Sequence, residues 1–325
     1  MNTAELNFLQ RLSSAFLFRP EALDAYLDSL PVDKAWLPVL RRLLTRKHAY
    51  FQRARGMDCS VMSLGMHCLP ATVATRWGLK PNLALGEERM PFDLAVHPHE
   101  AVADLLRNDF AGYEADGFLP QSNRCVFINK RQGIQFNHDT MKAEDLALPE
   151  QRAAHLDAFR ETLRTRVETL RARLAGGNCL AVHCISNFIR KQLGHDGFRE
   201  HIAGIKDYLE RHSETNRLMV VVLKTRQDAL AWPEEKVSVL DCADPSPEYD
   251  WSEPQDYLTD AGFLFEHRIA SAILERLESE FPKLSRPRYD DSIYDLHATS
   301  KSLQGALKLL QAARNDSPAP AVPNP

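Results

Sequence analysis

Apolar residues change their period near residue 56 of this chain. Before that point they recur every three or four positions: Leu6, Phe8, Leu9, Leu12, Phe16 and Leu17, then Trp36, Leu37, Val39, Leu40, Leu43 and Leu44. Such spacing predicts amphipathic helices, with Pro20 opening another between the two stripes. Beyond it, short apolar runs predict strands at 60–65, 125–129, 133–136, 179–183, 218–223 and 237–240. Three of these are continuous: Leu180-Ala181-Val182, Leu218-Met219-Val220-Val221-Val222-Leu223, and Val237-Ser238-Val239-Leu240. Runs apolar on both faces suit a parallel sheet covered by helices. The pair Val126-Phe127-Ile128-Asn129 and Ile134-Gln135-Phe136 flanks a loop with Gly133 and predicts a hairpin.

Helical stripes fill the gaps. Leu156, Phe159, Leu163, Val167, Leu170 and Leu174 end at Gly176-Gly177; Phe198, Ile202, Ile205 and Leu209 form a second stripe; Phe265, Ile269, Ile273 and Leu277 stop near Pro282. The order predicts an α/β fold: a mostly parallel, doubly wound three-layer sheet with an inserted β-hairpin and an N-terminal helical extension. The expected division is a helical extension over 1–55, an α/β domain over 56–285, a helical segment over 286–314 and a proline-rich disordered tail over 315–325. The N-terminal helices are expected to pack on the main domain or to dock a protein partner.

Composition narrows the class. A formal net charge of -4, with 44% hydrophobic and 26% charged residues, describes an ordinary globular chain with no basic field for nucleic acid. The local cluster Arg41, Arg42, Arg46, Lys47, Arg53 and Arg55 reads as a solvated helix face. The N-terminal residues lack a basic region followed by a long apolar core, so no signal peptide is expected, and no apolar run approaches the ~20 residues that span a bilayer. Six cysteines lie scattered without a CxxC pair. A reduced, cytoplasmic setting and no cysteine-built zinc site are expected.

Candidate chemistry gathers around one segment, Ser60-Val61-Met62-Ser63-Leu64-Gly65-Met66-His67-Cys68-Leu69-Pro70. It reads as a buried strand, a glycine turn, a cysteine and a helix opened by proline. A helix start lowers a thiol's pKa, and turn N–H groups near Gly65 can receive an oxyanion. In open α/β sheets such strand ends form ligand crevices. A cysteine nucleophile needs a base, and the base an orienting group. His138, in Phe136-Asn137-His138-Asp139, is the first candidate base. Asp139 follows it directly, and neighbours on an extended segment face opposite ways. Asp93, in Met90-Pro91-Phe92-Asp93, is therefore a second candidate orienter. His183 is an alternative base at a strand end, and His267 another near the start of the last strong helix. Ser63, Gly65, His67 and Asn137 are candidates for substrate or oxyanion contacts. His97-Pro98-His99-Glu100 offers metal donors, but Pro98-His99-Glu100 reads as the start of a helix carrying Val102, Leu105 and Leu106, so no metal is expected. There is no P-loop, GxGxxG or HExxH motif, and no cofactor is expected.

These residues carry a resemblance. Ser63-Leu64-Gly65-Met66-His67-Cys68, Pro91-Phe92-Asp93 and Phe136-Asn137-His138-Asp139 resemble the pattern of a bacterial family of unknown function labelled as papain-like cysteine peptidases. Leu94 stands where that family usually has Trp. The likeness covers about residues 58–185 and implies Cys68 as nucleophile and His138 as base. Family members often occur beside glycosyltransferase and surface-polysaccharide genes, which implies work on glycans. The glycine turn is also similar, more weakly, to the first block of SGNH-type esterases; that comparison leaves Ser63 or Cys68 as nucleophile and looks to His267 to complete the site.

The expected function is a cysteine-dependent hydrolase or acyltransferase acting on an ester, thioester or amide of a small-molecule, glycan or acyl substrate. The alternatives are a non-catalytic sugar- or nucleotide-binding module and an SGNH-like esterase.

Overall fold

A computed structural model describes residues 3–15, 19–80, 89–223, 237–246, 248–291, 293 and 301–315. Phe16, Leu17 and the tail 316–325 lie outside the described residues.

The chain is a mixed α/β protein with two sheets. Helices α1 (Thr3–Ala15), α2 (Pro20–Ser29) and α3 (Leu37–Ala54) come first. Strand β1 (Ser60–Ser63) then leads through the glycine turn into α4 (Leu69–Arg76), and α5 (His99–Arg107) follows. A small antiparallel sheet is built from β2 (Gly117–Gln121), β3 (Arg124–Asn129) and β4 (Ile134–Lys142). Next come α6 (Pro149–Gly176), β5 (Cys179–Ser186), α7 (Asn187–His212), β6 (Arg217–Leu223) and β7 (Val237–Cys242). The described chain closes with α8 (Pro254–Tyr257), α9 (Asp260–Glu280) and α10 (Lys301–Asn315).

Strands β1, β5, β6 and β7 pair in parallel, in the order β1-β5-β6-β7. Their apolar runs alternate between two cores. Leu180, Val182, Met219 and Val221 join α1, α3, α4 and α9 in one; Ala181, Ile185, Val220 and Val222 join α5, α6 and α7 in the other. Two-sided burial is why these strands show continuous apolar sequence instead of alternation. Phe8, Leu9 and Leu12 of α1 are completely buried in the first core, so the N-terminal helices share it with the sheet.

Several elements run longer than their apolar runs. β5 continues to Ser186, which moves His183 from the strand end into its buried interior. The expected hairpin is the β3–β4 pair, but a third strand, β2, adds to it despite Pro120. Pro120 lies on the outermost strand of that sheet, where a missing N–H is tolerated. The basic stretch of α3 is a solvent-facing surface laced with ion pairs. Arg41 pairs with Asp24 at 2.7 Å, Arg42 with Asp260, Arg53 with Glu278 and Arg55 with Asp291, while Lys47 is buried. No described helix is long and apolar enough to cross a membrane.

Candidate active site

The turn after β1 is tight. A Cβ on Gly65 would sit 2.6 Å from the His67 carbonyl oxygen and 3.1 Å from Pro70 Cγ, so only glycine fits without a shift. The Gly65 N–H donates to Ser63 Oγ at 3.3 Å. Ser63 is buried, and its hydroxyl and the Gly65 N–H are engaged with each other inside the turn. Cys68 itself caps α4, with Leu69 and Pro70 as its first two residues. The helix starts one residue earlier than a proline at its first position would give, because proline is equally compatible with the second helical position, whose N–H also has no helical acceptor.

His138 reaches Cys68 through an irregularity. The β3–β4 register steps from Val126↔Thr140 to Phe127↔Phe136, so Asn137, His138 and Asp139 bulge out without β3 partners. Bulges re-aim side chains. His138 shares a hydrogen bond with the Cys68 sulfur, while Asp139 turns to Arg166 of α6 and accepts both guanidinium nitrogens at 3.0 Å. Asp139 thus acts on His138 by charge and not by a bond. Asn137 is exposed beside it.

The loop carrying Pro91-Phe92-Asp93 is the spacer between these two pieces. The His97 N–H donates to the Met66 carbonyl at 2.7 Å, inside the cysteine turn. Val96 and Gln135 exchange backbone bonds at 2.8 and 3.0 Å, just before the His138 bulge. Phe92 is fully buried against Phe110 and His97. Asp93 is no orienter of His138. Its Oδ2 accepts from Lys80 Nζ at 2.8 Å and from the Met90 N–H at 2.9 Å, which staples the loop from inside. Tyr113 completes the staple, donating to the Pro91 carbonyl at 3.0 Å and contacting His97 Nε2 at 3.2 Å.

Two further groups reach the sulfur. Trp251, between β7 and α8, and Thr72, one turn into α4, both hydrogen-bond Cys68. His67 lies against the Trp251 ring, tilted by 30° with centroids 4.6 Å apart. A buried network holds Trp251 there. Arg76 donates to the Trp251 carbonyl at 2.9 Å, pairs with Glu266 and covers the Tyr257 ring, and Glu266 accepts from Trp77 Nε1 at 3.0 Å. Sequence reasoning missed Trp251, Thr72 and Arg166. A lone Trp in a polar segment carries no local signal of the residue it meets.

The electrostatics follow. Burial alone pushes the Cys68 thiol up, but the bond to His138, the Trp251 bond, the His138 charge and the Thr72 bond outweigh it and hold the thiol below its ordinary value. His138 is exposed, yet the Cys68 bond raises it above the usual imidazole value against partial desolvation; the charges of Cys68 and Asp139 add, and Arg89 opposes. Together they favour a thiolate–imidazolium pair. Burial drives four other cysteines the opposite way: Cys179 to about 12, Cys242 to about 11, and Cys59 and Cys184 upward as well.

The alternative bases lie elsewhere. Both nitrogens of His183 are occupied, Nδ1 by the Leu64 carbonyl and Nε2 by His201 at 3.1 Å. His267 bonds Tyr50 at 2.9 Å and stacks near Trp77, at the far end of α4. Nine residues separate Cys68 from Trp77, about 13 Å along a helix, so His267 does not face the Gly65 turn. His97 is buried and His99 begins α5. Among the described residues no group of three His, Cys, Asp or Glu side chains is placed to hold a metal ion.

Comparison with protein-family models, with curated proteins and with solved structures finds no match for this chain.

Proposed function

We propose that this protein is a cysteine-dependent hydrolase or acyltransferase. The observation that carries the reading is the Cys68–His138 contact, with a depressed thiol and a raised imidazole. The thiolate attacks the carbonyl carbon of an ester, thioester or amide. Negative charge moves to the carbonyl oxygen, where N–H groups at the start of α4 and the helix dipole stabilise it. His138 gives its proton to the leaving group, which departs as a thioester forms on Cys68. Water or an acceptor hydroxyl then attacks that thioester and loses its proton to His138, and the thiolate is released.

The architecture supports this placement. Helix-bearing cores on both faces of the parallel sheet fit a doubly wound layout, in which ligand crevices form beyond the carboxyl ends of strands. Cys68 stands beyond the carboxyl end of β1. The motif resemblance adds a substrate class: acyl groups on glycans of surface polysaccharides. Alkylation of the native chain with iodoacetamide at pH 7 tests the thiolate. Cys68 should react faster than a thiol of the unfolded chain, and Cys68→Ala should abolish cleavage of a thioester or aryl ester. A Cys68 no faster than an unfolded thiol would leave the binding-module alternative in its place.

A further inference from the structure

We infer that His183 and His201 are a neutral imidazole relay that positions the cysteine turn, with His183 as the positioning residue for Cys68. This rests on the reading of Cys68 as a reactive thiolate. The β1–β5 ladder ends at Ser63↔Val182, and the Leu64 N–H still donates to the Val182 carbonyl at 2.9 Å. There the chain leaves the sheet to form the turn. The Leu64 carbonyl, on a residue with no solvent exposure, is taken by His183 Nδ1 from the neighbouring strand. A carbonyl only accepts, so Nδ1 carries the proton. His183 Nε2 lies 3.1 Å from His201 Nε2, and one of the two must donate.

The surroundings decide which. His183 is fully buried; burial, with the charges of His67 and His99 adding and the Leu64 bond opposing, lowers it to about 4. Burial lowers His201 to about 3, with the charges of His183 and His99 adding and Glu100 opposing. Both rings are neutral near pH 7. His183 is then the Nδ1–H tautomer with a bare Nε2, and His201 Nε2–H is the donor. The relay runs from α7 through β5 to the Leu64 carbonyl, one residue before Gly65. The turn is also held by the Leu64 N–H on the Val182 carbonyl, the Gly65 N–H on Ser63 Oγ and the His97 N–H on the Met66 carbonyl. Among these bonds, the one from His183 ties the turn by a side chain of the adjacent strand.

The test compares His183→Leu with His183→Asn in the full chain. The asparagine amide can replace Nδ1–H toward Leu64; leucine cannot. The readout is the pH dependence of iodoacetamide alkylation at Cys68. His183→Leu should move the acid limb up toward an ordinary thiol and slow alkylation at pH 7 by about tenfold to a hundredfold, as small displacements of reacting groups do. His183→Asn should keep the wild-type limb. A leucine variant that melts earlier yet keeps the wild-type limb makes His183 merely structural and overturns the proposal. Nitrogen-15 spectra of the wild-type imidazoles give a second test that needs no variant: protonated Nδ1 and bare Nε2 are expected on His183, and the reverse tautomer overturns the relay. If wild-type Cys68 is itself unreactive, the hydrolase reading falls, while the tautomer measurement still decides the relay.

Discussion

At the Cys68 sulfur, burial and hydrogen bonding pull in opposite directions. Donors from three separate segments, His138, Trp251 and Thr72, win. Trp251→Phe keeps an aromatic ring against His67 and deletes the N–H. A bond to a charged group is worth about 1.5–3 kcal/mol, so the acid limb of Cys68 alkylation should rise by about one to two pH units. An unmoved limb in this variant would mean that the indole does not stabilise the thiolate. Turnover should be bell-shaped in pH. The acid limb is protonation of the thiolate, below the ordinary thiol value; the alkaline limb is loss of the His138 proton, above the ordinary imidazole value. Both limbs belong to the pair, so Cys68→Ser should abolish the profile and not merely lower it. Of the site residues, Cys68 and Gly65 were the most legible from sequence. A thiol before a proline-opened helix, after a glycine turn, is a local pattern. Trp251 was not, because nothing near residue 251 records what its ring approaches.

Among the elements, the loop 89–98 decides whether the cysteine turn and the histidine bulge meet. It bonds the turn at Met66 and β4 at Gln135, and Asp93 and Lys80 fasten it from within. Both partners of that ion pair are nearly inaccessible, so removing Asp93 strips the buried Lys80 ammonium of this carboxylate. Asp93→Ala should cost about 3–5 kcal/mol, read from thermal or denaturant unfolding. The alkaline limb of Cys68 chemistry should stay in place in the folded fraction, because Asp93 makes no bond to His138. A shifted limb with unchanged stability would restore Asp93 as the orienter. Asp93 reads as an orienter from sequence because a carboxylate beside a proline–aromatic turn is typical of sites; its contacts to Lys80 and the Met90 N–H show a brace. The bulge that aims His138 was equally invisible. Periodicity reports which residues of a strand are apolar, whereas a bulge depends on the strand beside it.

Across the whole molecule, the first core joins α1, α3, α4 and α9 to one face of the sheet, and it buries a lysine. Lys47 Nζ donates to the Ser13 carbonyl at 3.0 Å; burial, with Arg76 adding, lowers the lysine to about 7. Its folded value lies below the unfolded one, so above about pH 7 the unfolded chain binds more protons and stability rises with pH. That rise should be visible from about pH 7 to 8.5, before buried thiols begin to ionise on unfolding. Lys47→Met should flatten it and raise stability at pH 7, checked by denaturant melts at several pH values; an unchanged slope would show that the lysine is charged or solvated when folded. The sequence by itself determined the strands buried on both faces, the helical stripes, and a cysteine at the mouth of a strand–turn–helix unit. These are local, because periodicity and turn chemistry act over a few residues. Only the tertiary structure decided the partners: His138 and Trp251 on the sulfur, Lys80 on Asp93, Arg166 on Asp139, and His183 under the turn. A polar side chain is satisfied by whatever group the fold brings within about 3 Å, and that group lies tens of residues away in the chain.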